Sequence, residues 1–146
     1  MEDPRDLVTK LRNSDNYFDR QKAAWALVGL GDKSVDALID ALEKGEQSEL
    51  RYKAAWALGK IKCPRSIDPL ARAMLSDPDH AVREWCAAAL EEVGDRSSVP
   101  HLMEAMKADA AKDVRLRAAV ALRNLGAVEA LVKLQSIRRP RQEGWP

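Results

Sequence analysis

Arg51-Tyr-Lys-Ala-Ala-Trp-Ala-Leu58 is one of four versions of the same short segment. The others are Arg20-Gln-Lys-Ala-Ala-Trp-Ala-Leu27, Arg83-Glu-Trp-Cys-Ala-Ala-Ala-Leu90 and Arg115-Leu-Arg-Ala-Ala-Val-Ala-Leu122. Their leading arginines lie 31, 32 and 32 residues apart. A fixed period of this size marks a stacked repeat array, in which each unit buries its apolar face only against its neighbours.

Alanine and leucine dominate at helical spacing, and valine and isoleucine rarely cluster, so each segment reads as a helix. A polar break precedes every one: Asn13-Ser-Asp-Asn16, Gly45-Glu-Gln-Ser48, Ser76-Asp-Pro-Asp79 and Ala108-Asp-Ala-Ala-Lys-Asp113. Asp77, Pro78 and Asp79 suit a helix start, since carboxylates accept from free amides and proline fits the first turn. Gly31, Gly94 and Gly126 follow three of the segments, where a left-handed residue closes a helix.

A second helix type alternates with the first. It reads Val35-x-x-Leu38-x-x-x-Leu42, Ile67-x-x-Leu70-x-x-x-Met74 and Val99-x-x-Leu102-x-x-x-Met106, a spacing that gives one apolar stripe and one wet face. Shorter copies open the chain at Leu7 and Leu11 and close it at Val128, Leu131 and Leu134. The pattern predicts four helix pairs and a capping helix within one domain, residues 1–137. The repeats span about residues 4–31, 32–62, 63–94 and 95–126, the capping helix 127–137, and a basic tail follows at 138–146.

These segments resemble HEAT repeats, and in particular the short HEAT-like repeat named after phycobilisome lyases. That motif runs Val-Arg-x-x-Ala-Ala-x-Ala-Leu-Gly-x-Ile-Gly-Asp after an acidic turn. This chain has Leu50-Arg51 through Leu58-Gly59-Lys60-Ile61 and, more loosely, Val82-Arg83 through Val93-Gly94-Asp95. The terminal repeats depart from it, with Asp19 before Arg20 and Ala127 straight after Gly126, as expected where one face has no neighbour. The resemblance implies an all-α, right-handed α-α superhelix, or alpha solenoid.

Counted from the arginine, positions +3, +4 and +7 share one face and should form the core. The arginines, with acids such as Asp32, Asp95 and Asp113, should form a ladder of ion pairs between repeats. By the resemblance, the second helix of each pair lines the concave surface, so positions +1, +2, +5 and +9 face a groove. Among them are Lys22, Trp25, Tyr52, Lys53, Trp56, Lys60, Trp85 and Arg117, with Leu116 beside them. Trp25 and Trp56 occupy one column; Lys22, Lys53, Trp85 and Arg117 occupy another. Aromatic rings beside Lys and Arg have the composition of an interaction hot spot.

Composition narrows the function classes. The chain of 146 residues is 46% hydrophobic and 32% charged, too apolar for disorder. A net charge of +1 offers no general attraction to nucleic acid or anionic lipid. No apolar run approaches a membrane span, and the acidic start Met1-Glu-Asp-Pro does not read as a signal peptide. A cytoplasmic protein is expected. Cys86 stands where other repeats have Ala23, Ala54 and Ala118, which reads as burial, and Cys63 falls in a turn; no disulfide is expected between them.

Catalytic signals are weak. The deoxyhypusine hydroxylases, relatives of this repeat type, bind iron through His-Glu pairs, and this chain has none. His80 and His101 are its two histidines and lie far apart in sequence, so no metal or cofactor is expected. Cys63 with His80 is the one nucleophile–base pair worth weighing, and a structural role outweighs it. No phosphate-cradling glycine loop occurs. The expected function is non-catalytic binding of another protein in the groove, an extended or acidic segment being the kind of partner that fits. Two alternatives stand beside it. One is a bilin lyase-type subunit holding a flat, carboxylate-bearing tetrapyrrole. The other is nucleic acid in the groove, disfavoured because Glu84 and Glu92 dilute its basic residues.

Overall fold

A computed structural model describes residues 2–127. Eight α-helices follow one another in this range: α1 (Pro4–Asn13), α2 (Tyr17–Leu30), α3 (Val35–Lys44), α4 (Ser48–Ile61), α5 (Ile67–Ser76), α6 (His80–Val93), α7 (Val99–Ala108) and α8 (Lys112–Asn124). Among the described residues there is no strand. The capping helix and basic tail expected at 127–137 and 138–146 lie, beyond Ala127, outside the described residues.

Local chemistry sets the helix ends. Asp3, Asn16 and Asp79 cap α1, α2 and α6, each accepting a backbone N–H two residues on. Gly94 takes the left-handed conformation after α6, and Lys62 takes it after α4, where no glycine is available. A short 3₁₀ turn leads into each of α3, α5 and α7. Each ends on a buried serine, Ser34, Ser66 or Ser98, whose Oγ donates to the carbonyl of Leu27, Cys63 or Asp95 at 2.7, 2.6 and 2.7 Å. Each buried hydroxyl thereby finds an acceptor, and the Cys63 and Asp95 carbonyls also accept from the backbone N–H of Ser66 and Ser98.

The helices pack in consecutive pairs, and the pairs stack into an all-α solenoid. Its core is the predicted one. Leu27, Leu58, Leu90 and Leu122 at position +7 are fully buried, with Leu38, Leu42, Leu70, Met74 and Leu102 from the odd-numbered helices. Cys86 is fully buried among them, and both cysteines are free.

The even-numbered helices pack more closely on one another than the odd-numbered ones do. A stack with one tighter layer bends toward that layer, which favours α2, α4, α6 and α8 as the inner layer that the repeat type implies. Closest of all are α4 and α6. There Gly59 lies against Ala89, and the equivalent position in the flanking repeats holds the larger Val28 and Glu91.

The arginine ladder forms with partners other than those expected. Arg51 pairs with Asp77 at 2.9 Å and Arg83 with Asp109 at 2.9 Å; Arg20 reaches Glu49 at 3.2 Å. Each arginine also donates to a carbonyl six residues back: Ser14, Gly45, Asp77 and Asp109. Asp77 and Asp109 therefore take one arginine on the carboxylate and the next on the carbonyl, joining three repeats in one chain of bonds. Asp32, Asp95 and Asp113 are not part of it. The partner must come from the turn of the following repeat, which the arginine faces, and Asp95 instead caps its own turn at Ser97 N.

Candidate interaction face

The inner face is built on the outward side of the even-numbered helices. Trp25 is 57% exposed and Trp85 41%, while Tyr52 and Trp56 are half-buried. The Trp25 and Trp56 rings meet edge-to-face with centroids 4.9 Å apart. Their shared column brings them together because each projects from the same position of neighbouring helices. Tyr52 stacks on Trp85 at 6.1 Å, with 18° between the ring planes. This second pair crosses columns, so position counting within a repeat did not reveal it.

Packing between helices and exposure are both present in these rings. Edge-to-face and offset stacked pairs are favoured by the ring quadrupole, each adding about 0.5–1.5 kcal/mol beyond buried area. Half of each ladder step is fixed by its neighbour while the other half faces solvent. Such rings are held rigid before any partner arrives.

The basic residues are arranged differently from the expectation. Lys53 is buried, 6% exposed, with Nζ 3.2 Å from Glu49 Oε1 and 4.8 Å from the centroid of the Tyr17 ring. Lys60 pairs with Glu92 at 2.9 Å and Arg117 with Glu91 at 3.1 Å. Glu91 also accepts from Asn124. Of the four predicted cations, only Lys22 lacks a carboxylate partner among the described residues; its Nζ stands 5.9 Å from the Phe18 ring centroid. Burial pushes the Glu49 carboxyl up, but Lys53 and Arg20 outweigh that and hold it below its ordinary value. The face is thus aromatic with most of its charge neutralised in place.

Three apolar residues extend this surface. Tyr17 is 60% exposed, Phe18 66% and Leu116 55%. Leu116 was among the groove positions read from the sequence; Tyr17 and Phe18 were not, because they precede the repeated arginine. Two adjacent aromatics straight after the Asn16 cap were the signal available. A cleft of about 480 Å³ lies in the other layer, between α1 and α3, lined by Arg5, Arg12, Asp36 and Asp40 among others. It touches none of the predicted residues.

At the α6–α8 end, His80, Glu84 and Asp113 bring one ligand atom each within 4.8 Å of the others. Sequence spacing places His80 and Glu84 one helical turn apart, but Asp113 belongs to the next repeat and reaches them only through stacking.

The HEAT-repeat family model matches residues 4–91, 35–123 and 72–142. The chain belongs to the HEAT-repeat family. No curated protein matches it significantly. Among solved structures, this HEAT-repeat chain is similar to the CpcE–CpcF complex of phycocyanin lyase from Nostoc sp. PCC7120, with a TM-score of 0.77, 21% identity, and coverage of 96% of this chain and 91% of that one. It is also similar to human deoxyhypusine hydroxylase in complex with glycerol, with a TM-score of 0.72 and 25% identity. That likeness covers 87% of this chain but 44% of the hydroxylase, so the chain spans less than half the hydroxylase's length. Among the described residues no helix is long and apolar enough to cross a membrane.

Proposed function

We propose that this HEAT-repeat chain is a non-catalytic module that binds another protein along its concave face. The observation that carries this reading is the pair of ring ladders, Trp25–Trp56 and Tyr52–Trp85, held by the inner helices and open to solvent on one side. Rigid aromatic rings give large contact area at low entropic cost, because their own packing has already ordered them. Trp25, Tyr52, Trp56 and Trp85 serve as anchors. Lys22 supplies the uncompensated positive charge, while Lys60 and Arg117 tie neighbouring helices through Glu92 and Glu91 and Lys53 pairs with Glu49 within α4. This distribution favours an apolar or aromatic segment with a single acidic contact over a long acidic one, and it offers nucleic acid little free charge.

A second reading rests on the likeness to the CpcE–CpcF complex of phycocyanin lyase. In it the same rings hold an open-chain tetrapyrrole, stacking on the pigment's flat face, as part of a lyase-type subunit. The likeness is one of fold, and the aromatic ladder is the feature of this chain that favours it.

One comparison separates the readings. Wild type and a Trp25→Ala, Trp56→Ala, Trp85→Ala variant, its fold checked by circular dichroism, are used to capture partners from a lysate of the source cells. Both are then titrated with an open-chain tetrapyrrole while tryptophan emission is followed. A protein retained by wild type and lost by the folded variant supports the first reading. Quenching of wild type at micromolar pigment supports the second. Equal capture by both chains with no quenching would place function away from this face.

A further inference from the structure

We propose that His80, Glu84 and Asp113 form a binding site for a first-row divalent transition-metal ion, zinc being the best match to their donors. His80 and Glu84 stand four residues apart on α6 and so share one face of the helix. Asp113 comes from the first turn of α8 in the following repeat. The three ligand atoms lie within 4.8 Å of one another, with His80 and Asp113 exposed and Glu84 half-buried.

The electrostatics single this cluster out from the other acids of the inner face. Glu49, Glu91 and Glu92 each sit against a lysine or arginine. Glu84 and Asp113 face each other and an imidazole, and among the described residues none of the three side chains forms an ion pair or hydrogen bond. Two carboxylates this close repel, and a bound cation removes that repulsion. The N-terminal ends of α6 and α8 oppose a cation, but two carboxylates outweigh the partial charge of helix ends.

One imidazole nitrogen and two carboxylate oxygens suit zinc, at about 2.0–2.2 Å from each ligand. Imidazole favours the later first-row ions over magnesium or calcium, which prefer all-oxygen shells. Ligands around tetrahedral zinc lie about 3.3 Å apart, so the side chains must close by about 1.5 Å, a rotamer adjustment open to exposed residues. Three protein ligands leave a fourth position for water. The ion would tie α6 to α8 beside Trp85, stiffening the end of the aromatic ladder.

The test is isothermal titration of the metal-stripped full chain with Zn²⁺ in a non-coordinating buffer. The expected result is one zinc per chain, weakened at least about tenfold by His80→Ala and again by Asp113→Asn, since even an outer-shell change costs about that much. His101→Ala, on α7, leaves binding unchanged, and Mg²⁺ binds far more weakly. Zinc raises the melting temperature of wild type and not of the two variants, because the site spans two repeats. No binding up to about 1 mM zinc overturns the proposal. So does wild-type affinity in both variants, or loss of binding in His101→Ala. All three substitutions lie outside the buried core, so circular dichroism should show each variant folded. The aromatic-face reading stands or falls separately, on partner capture.

Discussion

Gly59 on α4 and Ala89 on α6 are in backbone contact: a Cβ on Gly59 would stand 2.8 Å from Ala89 Cα and 3.0 Å from its Cβ. Both positions are on rigid helices, so the added methyl cannot be accommodated by a rotamer change. Gly59→Ala should therefore lower stability by about 1–2 kcal/mol, the overpacking cost exceeding the helix propensity gained. Gly29, on α2, has nothing within 4 Å of a Cβ. Gly29→Ala should raise stability by about 0.5–1 kcal/mol. Urea denaturation of the two variants checks the pair, and a stabilised Gly59→Ala would show that the inner helices can part freely.

The Arg51–Asp77 pair should matter far more than its distance alone suggests. Its side chains are 13% and 6% exposed, and Asp77 also orders the turn before α6 through Asp79 N. Asp77→Ala should cost about 3 kcal/mol, because it leaves a largely buried guanidinium without its carboxylate and with only backbone carbonyls to donate to. Arg51→Lys should not restore wild-type stability, since an ammonium cannot reproduce the Nε and Nη2 fork on Asp77. The exposed Arg65–Asp36 pair provides the contrast, and Asp36→Ala should leave the denaturation midpoint unchanged.

Acid should weaken the first inter-repeat contact. The folded Glu49 carboxylate holds its proton more weakly than the unfolded one, so its contribution is present above the ordinary glutamate range and is lost as pH falls through the lowered folded value. Glu49→Gln should be less stable than wild type at neutral pH, by under about 1 kcal/mol because the carboxylate is 40% exposed. The difference should shrink as pH falls below the ordinary glutamate range and vanish once the folded carboxyl is protonated. A gap that persists in acid would mean that Glu49 acts by packing rather than by charge.

Thiol chemistry should separate the two cysteines. Burial pushes the Cys86 thiol far above its ordinary value, and the side chain has no solvent contact. It should resist alkylation in the native state at mildly alkaline pH and react only on unfolding. Cys63, 9% exposed, should react first. Mass spectrometry of a native labelling time course reads both sites, and early labelling of Cys86 would indicate local opening of α6.

How much of this was legible beforehand follows from the range of each interaction. Helix identity, the alanine–leucine core and the stacked architecture were readable from one chain, because a period near 32 residues repeats the same local patterning four times. The shared column of Trp25 and Trp56 was readable for the same reason. Partners chosen across repeats were not. Asp77 and Asp109, not Asp95 and Asp113, complete the arginine ladder, because the arginine points along the stack into the next turn.

The sequence by itself therefore determined the solenoid, its core and the columns that run along its stacked helices. Only the tertiary structure decided which columns stay open. Lys53 occupies a groove position yet is buried against Glu49 and Tyr17, while Tyr52 passes over to stack on Trp85. Stacking likewise brings Asp113 to His80 and Glu84, which no spacing within a repeat predicts. Periodicity reports which side of a helix a residue occupies; the separation and offset of adjacent helices, set by residues as small as Gly59, report what it meets there.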